Sequence, residues 1–76
     1  MCKLLVKFNT VDQVKDFVQT VSGFEENFDL VAGHGRYIVD AKSILGIFSL
    51  DLSQPVTLVS KDFPQDIAEL AFRKHM

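Results

Sequence analysis

Seventy-six residues, 47% of them apolar, suffice for one small domain over 1–76 and leave no room for a second domain or a large enclosed cavity. A formal net charge of −2, with both signs interspersed, argues against nucleic acid or an anionic membrane as the main partner, since either wants a basic surface. The single cysteine, Cys2, forms neither an internal disulfide nor a cysteine-based metal site, and no apolar run approaches the ~18 residues of a membrane span, so a cytoplasmic location is expected.

The N-terminal MCKLLV lacks the apolar length and cleavage site of a signal peptide. Leu4 to Phe8 reads as a strand, with Leu4, Val6 and Phe8 on one side; Leu5 is apolar too, which points to a central position. Thr10 and Gln13 have the spacing of a capping box, and Asp12 sits where a first helical turn favours negative charge. Val11, Val14, Phe17, Val18 and Val21 then form one helical stripe, and Gly23 suits a left-handed position after the helix. Phe24 to Ala32 alternates as a half-buried strand. Gly33-His34-Gly35 is a tight reversal, and Arg36 to Asp40 returns as the second arm of a hairpin.

Asp40 to Leu52 is the most informative stretch. Ser43 is placed to cap a helix of about two turns running to Leu50. At ~100° per residue, Ile44, Phe48 and Leu45 fall near 0°, 40° and 100°, whereas Leu50 and Ile47 fall near 240° and 300°. One short helix therefore carries two apolar faces, and only one of them can lie on a sheet. The other marks a partner site, unless flanking loops cover it. Val56 to Ser60 is a strand with Val56 and Leu58 facing one way. Pro64 opens the last helix at its first position, with Ile67, Leu70 and Ala71 as its inner stripe and Arg73, Lys74 and His75 at a frayed end. The order strand, helix, strand, strand, helix, strand, helix is met most economically by an α+β fold with helices on one face of a four-stranded, mainly antiparallel sheet.

Conventional chemistry is thin. His34 lies in a turn and His75 at the chain end, and neither has a nucleophile or orienting acid in clear sequence reach. Cys2 has only Lys3 beside it, and Gly33-His34-Gly35-Arg36 is too short for a nucleotide loop. The pairs Asp12/Asp16 and Asp66/Glu69 read as solvated helix faces, and no metal or cofactor follows from them. Ser43 differs: a phosphate on a helix-opening hydroxyl meets free N–H groups and adds about two negative charges beside Ile44, Leu45 and Phe48.

The block Ala41-Lys42-Ser43-Ile44-Leu45-Gly46-Ile47-Phe48-Ser49-Leu50 resembles the regulatory-serine motif of the HPr family, the histidine-containing phosphocarriers of the bacterial sugar phosphotransferase system. The element order, Asp16-Phe17-Val18 and Gly23-Phe24 extend the likeness over nearly the whole chain. It implies an open-faced β-sandwich of βαββαβα order, a kinase-modified serine at Ser43 and partner docking through Ile44, Leu45 and Phe48, with Ile47 and Leu50 in the core. The family carries its phosphoryl group on a His opening the first helix, in a Gly-Leu-His-x-Arg-Pro-like setting. Here Thr10 falls about where that His belongs, Asp12 where its Arg belongs and Gln13 in place of the Pro; the preceding loop is shorter and the last helix clipped.

The expectation is thus a non-enzymatic, HPr-like regulatory protein, monomeric or weakly dimeric through open sheet edges. Its expected partners are an HPr-type serine kinase or a catabolite-control transcription factor. The alternatives are a true phosphocarrier or small enzyme using His34, and an orphan paralogue that is never phosphorylated.

Overall fold

The chain forms β1 (Cys2–Val6), α1 (Val11–Ser22), β2 (Asp29–Ala32), β3 (Tyr37–Asp40), α2 (Ile44–Phe48), β4 (Val56–Ser60) and α3 (Gln65–Ala71), closed by a 3-10 turn over Arg73–His75. This computed structural model describes every residue from 1 to 76. The strands make one antiparallel sheet in the order β1-β4-β2-β3. The βαββαβα order and the open-faced, four-stranded antiparallel architecture expected from the sequence are both present.

Period-two alternation decides what each strand buries. Leu4, Leu58, Leu30 and Val39 lie side by side in register, and the first three are buried beneath the helices. The opposite row, Leu5, Thr57, Val31 and Ile38, faces away from them. β1 is an edge strand, so the central position suggested by Leu5 is wrong: Leu5 is exposed, and its apolar character does not report burial. β1 also begins earlier than expected. Cys2 is its first residue and points into the core, where burial raises its thiol pKa and leaves it a small apolar side chain.

Helices and sheet are joined by phenylalanine. Phe17 of α1 lies 5.6 Å from Phe72, which follows α3, and 5.1 Å from Phe8. Phe28 packs at 5.0 Å from Phe63 and 5.8 Å from Phe72, while Phe24 lies 4.8 Å from Phe63. Edge-on and tilted approaches dominate, as the ring quadrupole favours. This network corrects the expected strand Phe24–Ala32. Only Asp29–Ala32 pairs, because Phe24 and Phe28 turn inward to the rings, and the Lys42 ammonium donates to the Phe24 carbonyl at 2.6 Å.

Further departures have local causes. Gly23 is right-handed (φ −73°), its N–H donating to the Thr20 carbonyl and the Phe24 N–H to the Val21 carbonyl, so no left-handed cap is used. Val11 is exposed, since the first turn of α1 stands beyond the layer that Val14, Phe17 and Val21 bury. Arg36 belongs to the turn, α2 stops at Phe48 rather than Leu50, and Pro64 caps α3 from just outside it. In α3 the expected stripe is rotated. Ala68 and Phe72 are the buried pair, while Ile67 is exposed and Leu70 is 68% exposed. Small Ala68 lets the helix lie close to the sheet, and Phe72 reaches the rings that Leu70 would have to displace.

His75 is not frayed. It is buried, with Phe17 5.5 Å and Phe8 6.0 Å from its ring, and its carbonyl accepts the Lys7 N–H at 2.7 Å. Replacing Phe72 by Ala is expected to cost about 3–5 kcal/mol, whereas Leu70→Ser should change stability by less than about 0.5 kcal/mol. Urea unfolding of the two variants beside wild type distinguishes the observed stripe from the expected one.

Candidate functional site

Ser43 opens α2 from extended backbone (φ −97°, ψ 104°). The Gly46 N–H donates to its Oγ at 3.1 Å, and the Ile47 N–H donates to its carbonyl at 3.0 Å. Asp40 holds the approach: its carbonyl accepts the Ser43 N–H at 3.0 Å and its Oδ1 accepts the Lys42 N–H at 2.9 Å. The reason for a glycine inside this five-residue helix is visible here. A Cβ on Gly46 would stand 3.1 Å from Ser43 Oγ and 3.4 Å from Val39 Cβ, so a side chain there would press on the cap itself.

Burial then sorts the helix. Ile47 is fully buried and fixes the rotation of α2. Leu45 is left 81% exposed and Phe48 42% exposed, with the Ser43 side chain also on the surface. Ile44 is half-buried against the core and Leu50 likewise, so Ile44 forms the base of the exposed face rather than its crest. Six of the seven phenylalanines join the ring network; Phe48 does not.

Phe48 instead borders a shallow groove of about 200 Å³ running to the mouth of α1, where Thr10, Val11 and Val14 face it along with Leu52. Thr10 is the N-cap of α1, its Oγ1 accepting the Gln13 N–H at 3.2 Å. The Gln13 side chain reaches back to the Asn9 N–H at 2.6 Å, one residue short of a reciprocal capping box. The helical stripe places Val11 in the core, whereas Val11 is exposed and borders this groove; an apolar side chain in the first turn, before the helix meets the sheet, is the signal for it.

Neither imidazole enters the groove. His34 occupies the tip of the β2–β3 turn with φ +57°, between Gly33 (+60°) and Gly35 (+91°), and borders the uncovered sheet face beside Val31 and Thr57. His75 Nε2 lies 3.3 Å from Asp16 Oδ2 without good hydrogen-bond geometry, and the Lys74 ammonium meets the same oxygen at 2.7 Å. The hydrogen bond from Lys74 holds the Asp16 carboxyl below its ordinary pKa. Burial pushes the His75 pKa down, against the smaller upward pull of Asp16. No three His, Cys, Asp or Glu side chains approach closely enough to hold a metal ion, and no helix is long and apolar enough to cross a membrane.

The chain matches no protein-family model and no curated protein sequence. It is similar to a solved structure, the crystal structure of HPr-C-His from Thermoanaerobacter tengcongensis, with 30% identity and a TM-score of 0.71 over 95% of this chain and 84% of that one. The chain belongs to the HPr family.

Two outcomes follow from this geometry. Ser43→Ala is expected to lose about 1 kcal/mol with the cap, and Ser43→Asp, which keeps an acceptor, much less; thermal or urea unfolding measures both. For His75, a folded pKa below the ordinary 6.5 means the unfolded chain binds the proton more readily. Stability is then intact above about pH 6.5 and falls as pH drops through the folded value. Urea midpoints between about pH 7.5 and 5 should decline in wild type and decline less in His75→Gln; the lowered Asp16 carboxyl contributes only further into acid, below its ordinary 3.8.

Proposed function

We propose that this HPr-family chain is a non-catalytic protein-binding module that docks partners through Ile44, Leu45 and Phe48 and carries no phosphate on histidine. The observation that supports it is the exclusion of Phe48 from the ring network and its place, with Leu45, on the surface beside the mouth of α1. An aromatic side chain at the centre of an apolar surface, with a groove next to it, is the usual form of a binding hot spot. Phosphate transfer through this mouth meets a chemical obstacle. Thr10 stands about where family members carry the active His, and its hydroxyl has a far higher pKa than imidazole. Asp12, exposed in the same turn, would repel a phosphoryl group where a cation would steady it.

The finer reading is regulation at Ser43. Its hydroxyl lies on the surface next to Ile44 and within the same turn as Leu45, so a phosphate would put charge beside the docking residues without entering the core. The partners that fit are a serine-specific HPr kinase and a catabolite-control transcription factor, in a cytoplasmic setting.

Incubation with such a kinase and ATP should add one phosphate by intact mass to wild type and none to Ser43→Ala. No gain on wild type, under conditions that modify an ordinary HPr, removes the switch and leaves an unphosphorylated binding module. Phe48→Ala should weaken capture of a docking partner roughly thirty-fold, about 2 kcal/mol, at unchanged fold by circular dichroism. Incubation with the upstream phosphotransferase enzyme and phosphoenolpyruvate should leave no acid-labile phosphate. Such a label on His34 or His75 would replace this reading with a true carrier.

A further inference from the structure

Opposite the helices, the sheet carries a second apolar surface that no part of the chain covers. Strand register aligns Leu5, Thr57, Val31 and Ile38 across all four strands. Leu5 and Ile38, at the two ends of this row, are each 63% exposed. The adjacent row on the same face reads Lys3, Val59, Asp29 and Asp40, with its cation on the β1 edge and two carboxylates toward the β3 edge. A shallow hollow of about 410 Å³ lies between them, bordered by Lys3, Val31, Thr57, Val59 and the His34 turn.

This pattern is self-complementary. A two-fold axis parallel to the strands, midway between β4 and β2, lays β1 of one copy over β3 of another and β4 over β2. Leu5 then meets the second copy's Ile38, Thr57 meets Val31, Lys3 faces Asp40 and Val59 faces Asp29, each contact made twice. Aligned packing of two such faces is an ordinary sheet arrangement. We propose that this uncovered sheet face is a homodimerisation surface, with a second copy of the chain packed face to face across it.

At the β1 edge the chain's own groups take part of the free backbone. The Gln65 carboxamide occupies the outer edge of β1, accepting the Lys3 N–H at 2.7 Å and donating to the Lys3 carbonyl at 3.2 Å; farther along, the His75 carbonyl takes the Lys7 N–H. Strand exchange through β1 would first have to break these bonds. Four strands about 4.8 Å apart and about 3.3 Å per residue give a footprint of roughly 300 Å² per copy, well under the ~800 Å² of a stable interface. The dimer is therefore weak, and it leaves both α2 surfaces on its outside, independent of what they bind.

Sedimentation equilibrium from about 20 µM to 2 mM should show a monomer–dimer equilibrium with a Kd of about 0.1–1 mM. Over the same range, amide shifts should move at Leu5, Val31, Ile38 and Thr57 and stay fixed at Leu45 and Phe48. Ile38→Lys should abolish association, Lys3→Glu should weaken it at least about three-fold, and Lys3→Glu with Asp40→Lys should restore it. Phe48→Ser should leave it unchanged. A monomer mass across the whole range overturns the proposal, as does association that survives Ile38→Lys or is lost with Phe48→Ser.

Discussion

Everything in this small fold leans on the packing of phenylalanine rings between the helices and the sheet. Phe17 joins α1 to Phe72 beyond α3 and to Phe8 beyond β1, while Phe28 and Phe63 close the ring from the loop before β2 and the segment before α3. A chain of this length has few side chains to exclude water with, so large planar groups from every part of the sequence must converge. That demand explains why Phe24 and Phe28 leave the strand that their alternation suggests. It also explains why α3 turns Ala68 and Phe72 inward at the expense of Ile67 and Leu70. The cluster outbids local pattern wherever the two disagree.

The proposed docking surface is the complement of that demand. α2 is too short to bury both its apolar faces, and Ile47 settles which one goes inside. Once its rotation is fixed, Leu45 and Phe48 have nowhere to go but solvent, since they lie roughly 160° and 100° around the helix from Ile47. Gly46 and Ser43 make the arrangement tight: the glycine leaves space for the serine oxygen to cap the turn, and the serine thereby stays at the surface beside the apolar residues. Stability and an exposed apolar face thus come from one element, in which a single buried isoleucine directs its neighbours outward.

Polar groups complete the closure at the other end of the molecule. The final turn would be loose on propensity alone, but His75 is inserted beside Phe8 and Phe17, Lys74 pairs with Asp16, and the His75 carbonyl takes an amide beyond the end of β1. The Gln65 carboxamide does for Lys3 what a neighbouring strand would do. An edge strand in so small a sheet is an aggregation risk; the Gln65 carboxamide occupies hydrogen-bonding groups of that strand, and the His75 carbonyl takes the amide just past its end.

The sequence by itself determined the order of the elements, the caps at Thr10 and Ser43, the β2–β3 reversal around His34 and the two-faced character of α2. Each of these is set by residues within one or two turns of one another, through capping hydrogen bonds, glycine backbone freedom and helical period. Tertiary structure alone decided that β1 lies at an edge with Leu5 in solvent, that Val11 stands clear of the core beside Phe48, that Leu70 faces out, and that His75 is buried against Asp16. Those outcomes depend on which distant side chains compete for the same limited interior. An apolar residue in a strand or helix records only that it can be buried, while the sheet order and the ring cluster record whether it is.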